Sequence, residues 1–397
     1  MSSPLLPRVL AAVDALTPEL VEIRRDLHAH PELSWAEERT TTVVAKRLAE
    51  VGLDARPMKR GGVLVEIGPA SGPVVALRAD LDALPVEDRT PDPWRSTVEG
   101  VAHACGHDVH TTALLGAGLA LHDAADDLPG RVRLVFQPAE EVMPGGALMS
   151  MESGALDDVS RIFGLHCDPG VDVGQVGLRD GPLTGAADSL DVRLTGRGGH
   201  TSRPHLSEDL TFALGKLVTE LPAVLSRRLD PRAGVSVVWG VVRAGSAMNV
   251  IPSVGRAAGT VRMLDAVAWA DAEALVRETI DQIVAPYGVS AEVIYTRGVP
   301  PVVNEPTSSA LLGRAIDEAV PEGRVPTAQS LGGEDFAWYL ERVPGAMARL
   351  GTRTPGGPTY DLHQGDLRVD ERAVGIGARV LAGAAVAALV AEPADAR

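Results

Sequence analysis

The chain has 397 residues, more than one ordinary core accommodates, and this predicts two domains. Apolar residues make up 45% and charged residues 23%, a globular profile that excludes disorder. The formal net charge of -16 excludes nucleic acid and anionic membrane as partners of the surface as a whole, while leaving room for a local basic cleft.

The first forty residues carry Asp14, Glu19, Glu22 and Asp26 and no unbroken apolar run, so no secretory leader is expected. Thr17-Pro18-Glu19 predicts a helix start with Pro at the first helical position, and Leu20, Ile23 and Leu27 give its apolar face up to Pro31. A second helix is predicted over 37–51, stopped by Gly52. Strands are expected at 63–67, 74–79, 131–137 and 161–165, with a helix over 107–125. Apolar strands alternating with helices predict an α/β fold with a mostly parallel sheet.

From about residue 186 the pattern changes, because Leu190, Val192 and Leu194 alternate with Asp191, Arg193 and Thr195 as in a half-exposed strand. A helix at 206–226, strands at 235–243 and 254–263, a helix at 266–286 and a strand at 290–297 follow. That order is the ferredoxin-like βαββαβ arrangement. The expected organisation is a larger domain of residues 1–185 plus 300–397, with 186–299 inserted as a second domain. The apolar stretch 373–391 is broken by Arg379 and three glycines, and predicts an Ala-rich packed helix rather than a membrane span. Two cysteines, Cys105 and Cys167, are too few for a disulfide scaffold, which makes the cytoplasm the default location.

Polar clusters fall at the ends of the predicted strands. Asp80 and Asp82 follow one, Glu140-Glu141 another, and His166 closes a third, where open α/β sheets place their ligand sites. Ala-Cys-Gly-His-Asp-Val-His, residues 104–110, opens a helix, and in an extended segment Cys105 and His107 would point the same way. A thiolate with an imidazole suits zinc or a similar borderline metal. Taken singly, Cys105 reads equally as a small buried hydrophobe and His107 as a core or capping histidine. Adjacent carboxylates after a buried strand are costly unless a cation neutralises them, so one of Glu140-Glu141 can bind metal while the other moves a proton. A solvated acidic turn is the competing reading of that pair.

These residues resemble the M20 metallopeptidase family, in its amidohydrolase branch of hippurate hydrolases, N-acyl amino acid deacylases and auxin-conjugate hydrolases. The matching stretches are Leu-His-Ala-His-Pro-Glu-Leu-Ser (27–34), Arg-Ala-Asp-Leu-Asp-Ala-Leu-Pro (78–85), Ala-Cys-Gly-His-Asp-Val-His-Thr (104–111) and Phe-Gln-Pro-Ala-Glu-Glu (136–141). Gly-Leu-His (164–166), Gly-Arg-Gly-Gly-His (196–200), Met-Asn-Val-Ile-Pro (248–252), Gly-Gly-Glu-Asp-Phe (332–336) and Leu-His (362–363) continue them in one order. The resemblance implies two divalent metal ions per subunit, zinc first, with manganese, cobalt and nickel as alternatives. One would be held by Cys105, Glu141 and His363 and the other by Cys105, His107 and His166, with the thiolate bridging. It further implies Glu140 as general acid/base, Asp82 as a carboxylate that orients a ligand, and His200 as an oxyanion donor. The resemblance places Asn249 and Arg262 at substrate-carboxylate or oxyanion contacts, although a turn residue and an exposed strand residue are their plain alternatives. The inserted domain would serve as a lid and as the surface of a homodimer or higher homo-oligomer.

The chain departs from the family in Thr-Ser-Arg-Pro-His after His200, where Arg203 either alters what the lid accepts or faces solvent, and in the polar stretch around His363. Cys167 is expected to pack, His28, His30, His103 and His110 to support their neighbours, His122 to have no functional role, and His205 to lie on the lid. The leading expectation is hydrolysis of an N-acyl amino acid, a small amide bearing a carboxylate. Dipeptidase or carboxypeptidase action, a catalytically idle binding protein, and a cysteine-nucleophile enzyme using Cys105 are the alternatives.

Overall fold

Val74–Asp80 is buried at all seven positions and Arg131–Gln137 at six of seven, so both strands need cover on two faces and sit inside a sheet. In the computed structural model, which describes residues 5–391, they lie at the centre of an eight-stranded sheet. Along the sheet the strands run Ala55–Pro57, Val63–Ile67, Arg131–Gln137, Val74–Asp80, Val159–Asp172, Gly345–Arg353, Val176–Leu178 and Arg324–Pro326. The sheet is mixed, with four of its seven strand pairings parallel. Its four middle strands run parallel, as do the last two, but the two strands on the Ala55 side and the Val176–Leu178 pairing with Gly345–Arg353 are antiparallel. The two edge strands, Ala55–Pro57 and Arg324–Pro326, are three residues each and blunt the sheet margins.

The helices Leu5–Ala29, His107–His122, Pro306–Ala319 and Arg372–Ala391 share one apolar core with this sheet. The predicted helix start at Thr17 is not a boundary, since Pro18 lies inside a single 25-residue helix. The Thr17 hydroxyl donates to the Val13 carbonyl at 2.9 Å, inside the turn that precedes the proline. Arg372–Ala391 is apolar and long enough to cross a membrane, yet 78% of its most apolar window is buried, which makes it a core helix here. The Val159–Asp172 strand runs well beyond the predicted 161–165, so His166 lies within a strand and not at its end.

The chain divides into two compact units. The first takes in the described residues up to Leu183, Val303–Ala328 and those from Asp335 onward; the second takes in Thr184–Val302 and Gln329–Glu334. In the second, Ala186–Thr195, Ser236–Ala244, Val254–Met263 and Ser290–Val299 form an antiparallel four-stranded sheet. Helices Leu210–Arg228 and Ala266–Val284 connect the strands in β-α-β-β-α-β order and share a second apolar core with them. Asp209 and Asp265 cap those helices by accepting from the backbone N–H groups of Phe212 and Ala268.

Candidate metal centre

In the first unit polar residues from the middle strands and from the segments that follow them converge. Cys105 Sγ lies 3.5 Å from His166 Nε2, and Cys105, His107 and His166 offer donor atoms within 4.8 Å of one another. Cys105, Glu141 and His363 form a second such group, so the two share the thiol. Glu141 Oε1 stands 3.8 Å from His107 Nε2 and 3.5 Å from His363 Nε2. Residues far apart in sequence therefore supply one cluster, all of it inside the first unit.

Local backbone geometry explains the approach. Cys105 and His107 are joined by a turn, not by the extended segment expected from their spacing. Gly106 has φ +84° and a Cβ there would lie 2.8 Å from Cys167 Sγ, so the turn requires glycine on both counts. His363 also has a positive φ of 61°, and its backbone N–H donates to the Ala104 carbonyl at 2.7 Å, tying the distal loop to the Cys105 turn. Cys167 is fully buried and packs, as expected.

Hydrogen bonds at the far ring nitrogens fix which nitrogen faces the cluster. His107 Nδ1 donates to the Asp82 carbonyl at 2.9 Å, and His166 Nδ1 to the Cys167 carbonyl at 2.7 Å. In the neutral rings both Nε2 atoms are thereby left as lone-pair donors; against the effect of burial, the Asp80 charge pushes the His107 ring well up, and a bound cation would displace that proton. His110 is different: its Nε2 accepts the Cys167 backbone N–H at 2.7 Å and its Nδ1 meets Asp80 Oδ1 at 2.6 Å, so it has no lone pair to give and supports the strand.

His107 Nε2 and Glu141 Oε1 are buried and make no hydrogen bond, a costly arrangement that a shared cation would relieve. Burial, and then the Glu141 charge, push the Cys105 thiol well above its ordinary range, and burial likewise pushes the Glu141 carboxyl up. Burial, reinforced by Arg349, holds His166 well down and therefore neutral. Without a cation the cluster cannot bear its own negative charge; with one, thiolate, carboxylate and neutral imidazoles become a matched donor set. The residues fit a divalent metal.

Asp82 meets three donors as well as facing His107. Its Oδ1 accepts the backbone N–H of Glu140 and its Oδ2 that of Glu141, both at 3.0 Å, while Ser34 Oγ donates to Oδ2 at 2.6 Å. Glu37 accepts the Ala139 N–H at 2.7 Å, so two buried acids hold the backbone amides of residues 139–141. Glu140 itself receives the Asp335 N–H on Oε1 at 3.4 Å.

His200, Asn249 and Arg262 belong to the second unit. His200 is exposed, and its Nδ1 accepts from the Ser202 backbone N–H at 3.1 Å, which puts the ring proton on Nε2. Asn249 lies in an exposed turn and accepts the Thr201 N–H through its carbonyl. Arg262 Nη1 donates to the Leu331 carbonyl at 2.7 Å. Arg203 is exposed.

Sequence patterns gave no role to Arg78, Gln137, Asp335, Ser34 or Glu37. One signal was available: Arg78 interrupts the run Val-Val-Ala-Leu-Arg-Ala, and a charge in a buried strand demands buried partners.

Residues 76–387 match the family model of peptidase family M20/M25/M40. A Rhodococcus jostii (strain RHA1) protein named for a glutamate–cysteine ligase is 52% identical over 365 residues, a match covering 91% of this chain and 46% of that one. The chain thus spans less than half of that relative's length. The N-acetyl-L-cysteine deacetylase of Bacillus subtilis (strain 168) is 39% identical over 364 residues, covering 91% of this chain and 86% of the relative. A solved Bacillus subtilis structure, described as a dinuclear metal binding peptidase from the M20 family, superposes with a TM-score of 0.82 at 34% identity, covering 96% of this chain and 99% of that one.

Proposed function

The chain belongs to peptidase family M20/M25/M40, and on that footing we propose that it is a metal-dependent amidohydrolase that splits N-acyl amino acids into a carboxylic acid and an amino acid. The observation that carries this reading is the pair of unpartnered buried atoms, His107 Nε2 and Glu141 Oε1, beside Cys105 and next to a second carboxylate, Glu140. Cys105, Glu141 and His363 would hold one cation and Cys105, His107 and His166 the other. The thiolate and imidazoles favour zinc over harder cations, with manganese, cobalt and nickel as alternatives. Two bound cations supply a Lewis acid for the carbonyl and acidify the attacking water.

Glu140 then does the proton work. Its carboxylate takes a proton from the water and returns it to the leaving nitrogen, so its net protonation is unchanged over a turnover. Asp82 keeps Glu140 and Glu141 in register by binding both backbone amides. His200, with its proton on Nε2, has the tautomer required of an oxyanion donor, and Asn249 and Arg262 are assigned to the substrate's carboxylate. The second unit is assigned the lid and the self-association surface of a homodimer. Both cysteines are unpaired, in keeping with a cytoplasmic location. The name of the 39% identical deacetylase supports the N-acyl amino acid class.

The test is a panel of N-acetyl, N-benzoyl and long-chain acyl amino acids beside free dipeptides, assayed with zinc, manganese, cobalt and nickel in turn. Hydrolysis of the acyl amino acids, abolished by chelation and restored by metal, is expected. Turnover of dipeptides alone would assign a dipeptidase instead. Activity that survives complete metal removal would sink the metal reading and point to Cys105 as nucleophile.

A further inference from the structure

The loop that carries Glu140-Glu141 leaves the central sheet at Gln137 and enters a short helix at Ala147. Both of its feet meet one carboxylate. Gln137 Nε2 donates to Asp335 Oδ2 at 2.7 Å and the Ala147 backbone N–H donates to the same oxygen at 3.0 Å. The other oxygen, Oδ1, accepts Arg78 Nη2 at 2.5 Å. Arg78 closes the ring, since its Nε donates to Gln137 Oε1 at 2.9 Å and its Nη1 to Asp80 Oδ2 at 2.6 Å. Arg78 and Asp335 are each 1% exposed, so their charges are held together without water between them. Gly145 passes so close that a Cβ there would lie 2.2 Å from Asp335 Oδ2. From this position the Asp335 backbone N–H reaches the Glu140 carboxylate.

We propose that Asp335, fixed by Arg78, is a positioning residue that clamps both feet of the 137–147 loop and thereby aims the Glu140 carboxylate. The inference rests on the reading of Glu140 as the acid/base. Three donors converge on two carboxylate oxygens, so an acid is required there; an amide of the same size presents an NH₂ group to at least one donor in either orientation. Because the clamp acts through Glu140, its loss lowers turnover without weakening substrate binding, the signature of an interaction expressed in the transition state.

The test compares wild type with Asp335→Asn and with Gly145→Ala, each in the full metal-loaded chain. Hydrogen–deuterium exchange over residues 137–147 is read against Val63–Ile67 and Arg372–Ala391, and kcat and KM are measured separately. Asp335→Asn is expected to speed exchange in the loop about tenfold or more while leaving the reference segments protected. It is expected to lower kcat on the order of a hundredfold at unchanged KM. Gly145→Ala leaves the charges intact and pushes the loop off the clamp from the other side, so it answers the question if Asp335→Asn fails to fold. Unchanged loop protection, exchange raised equally everywhere, or local exchange raised with kcat untouched would each overturn the proposal. A wild-type chain that hydrolyses no N-acyl amino acid refutes the proposed function instead, and the exchange pattern still decides whether the clamp exists.

Discussion

Arg78 in the first unit and Arg256 in the second both lie on a strand of their unit's main sheet, and both bind carboxylates through two or more nitrogens. Arg78 is sealed inside, tied to Asp80 and Asp335 and to the amide of Gln137. Arg256 is exposed, pairs with Asp191 on the neighbouring strand, and has Arg193 and Glu292 close to that same face. The difference is one of consequence. A buried charge must be matched atom by atom, and its partners become fixed points on which a loop can be hung. A solvated charge has water as an alternative partner, so its ion pair constrains little.

The largest expected effect follows from where the first unit's carboxylates point. Glu140→Gln keeps the shape and the Asp335 contact but cannot move a proton, and kcat is expected to fall about 10²–10⁴-fold with metal content unchanged. Metal analysis beside steady-state kinetics checks this; full turnover with metal retained removes Glu140 from the chemistry. Next is Arg78→Met, which strands Asp80 and Asp335 without their cation. Breaking a buried pair from one side costs about 3–5 kcal/mol, measurable as a lowered urea midpoint. A midpoint equal to wild type would mean that the interior of the first unit tolerates charge as the surface of the second does.

The residues that cluster were legible because chemistry restricts them: a cysteine two residues from a histidine, and paired glutamates after an apolar strand, are informative wherever they occur. The supporting residues were not, because their roles depend on contacts that no local pattern encodes. Arg78 meets a carboxylate 257 positions later, and Ser34 meets Asp82 across 48. Element types and the parallel middle of the sheet were legible, yet the direction of the marginal strands was not. An apolar run says that a strand is buried, and only the connections on either side decide whether its neighbour runs parallel or antiparallel. The extended reading of Cys105 and His107 failed for a similar reason, since Gly106 turns at positive φ against Cys167, a contact 61 positions away that no local pattern encodes.

Glu37 offers a pH-dependent version of the contrast. Burial first, and then the Asp82 charge beside it, push its carboxyl up to about 7. The folded state therefore holds this proton more tightly than the unfolded chain. Its contribution to stability is present below about pH 4.5 and lost as pH rises toward 7, a loss of about 3 kcal/mol. Glu37→Gln retains an acceptor for the Ala139 N–H and removes the titration. Urea melts are expected to show the variant gaining on wild type between pH 5 and pH 8, and an equal difference at both pH values would refute the buried-acid account.

The smallest effect is the one that most sharpens the comparison. Arg256→Ala deletes a two-point ion pair of ordinary hydrogen-bond length, 2.9 and 2.8 Å to Asp191, against 2.6 and 2.5 Å for Arg78's. If hydrogen-bond geometry alone set the value of an ion pair, the two arginine variants would shift the urea midpoint by similar amounts. Asp191, however, keeps access to water once its partner is gone, and Arg193 approaches to 3.9 Å from the same strand. Salt screens what attraction remains over about 8–10 Å. The midpoint of Arg256→Ala is therefore expected to match wild type within error, at both low and high ionic strength. A shift comparable to that of Arg78→Met would show that the second unit's charged face is covered by something, and the self-association surface would be the first place to look.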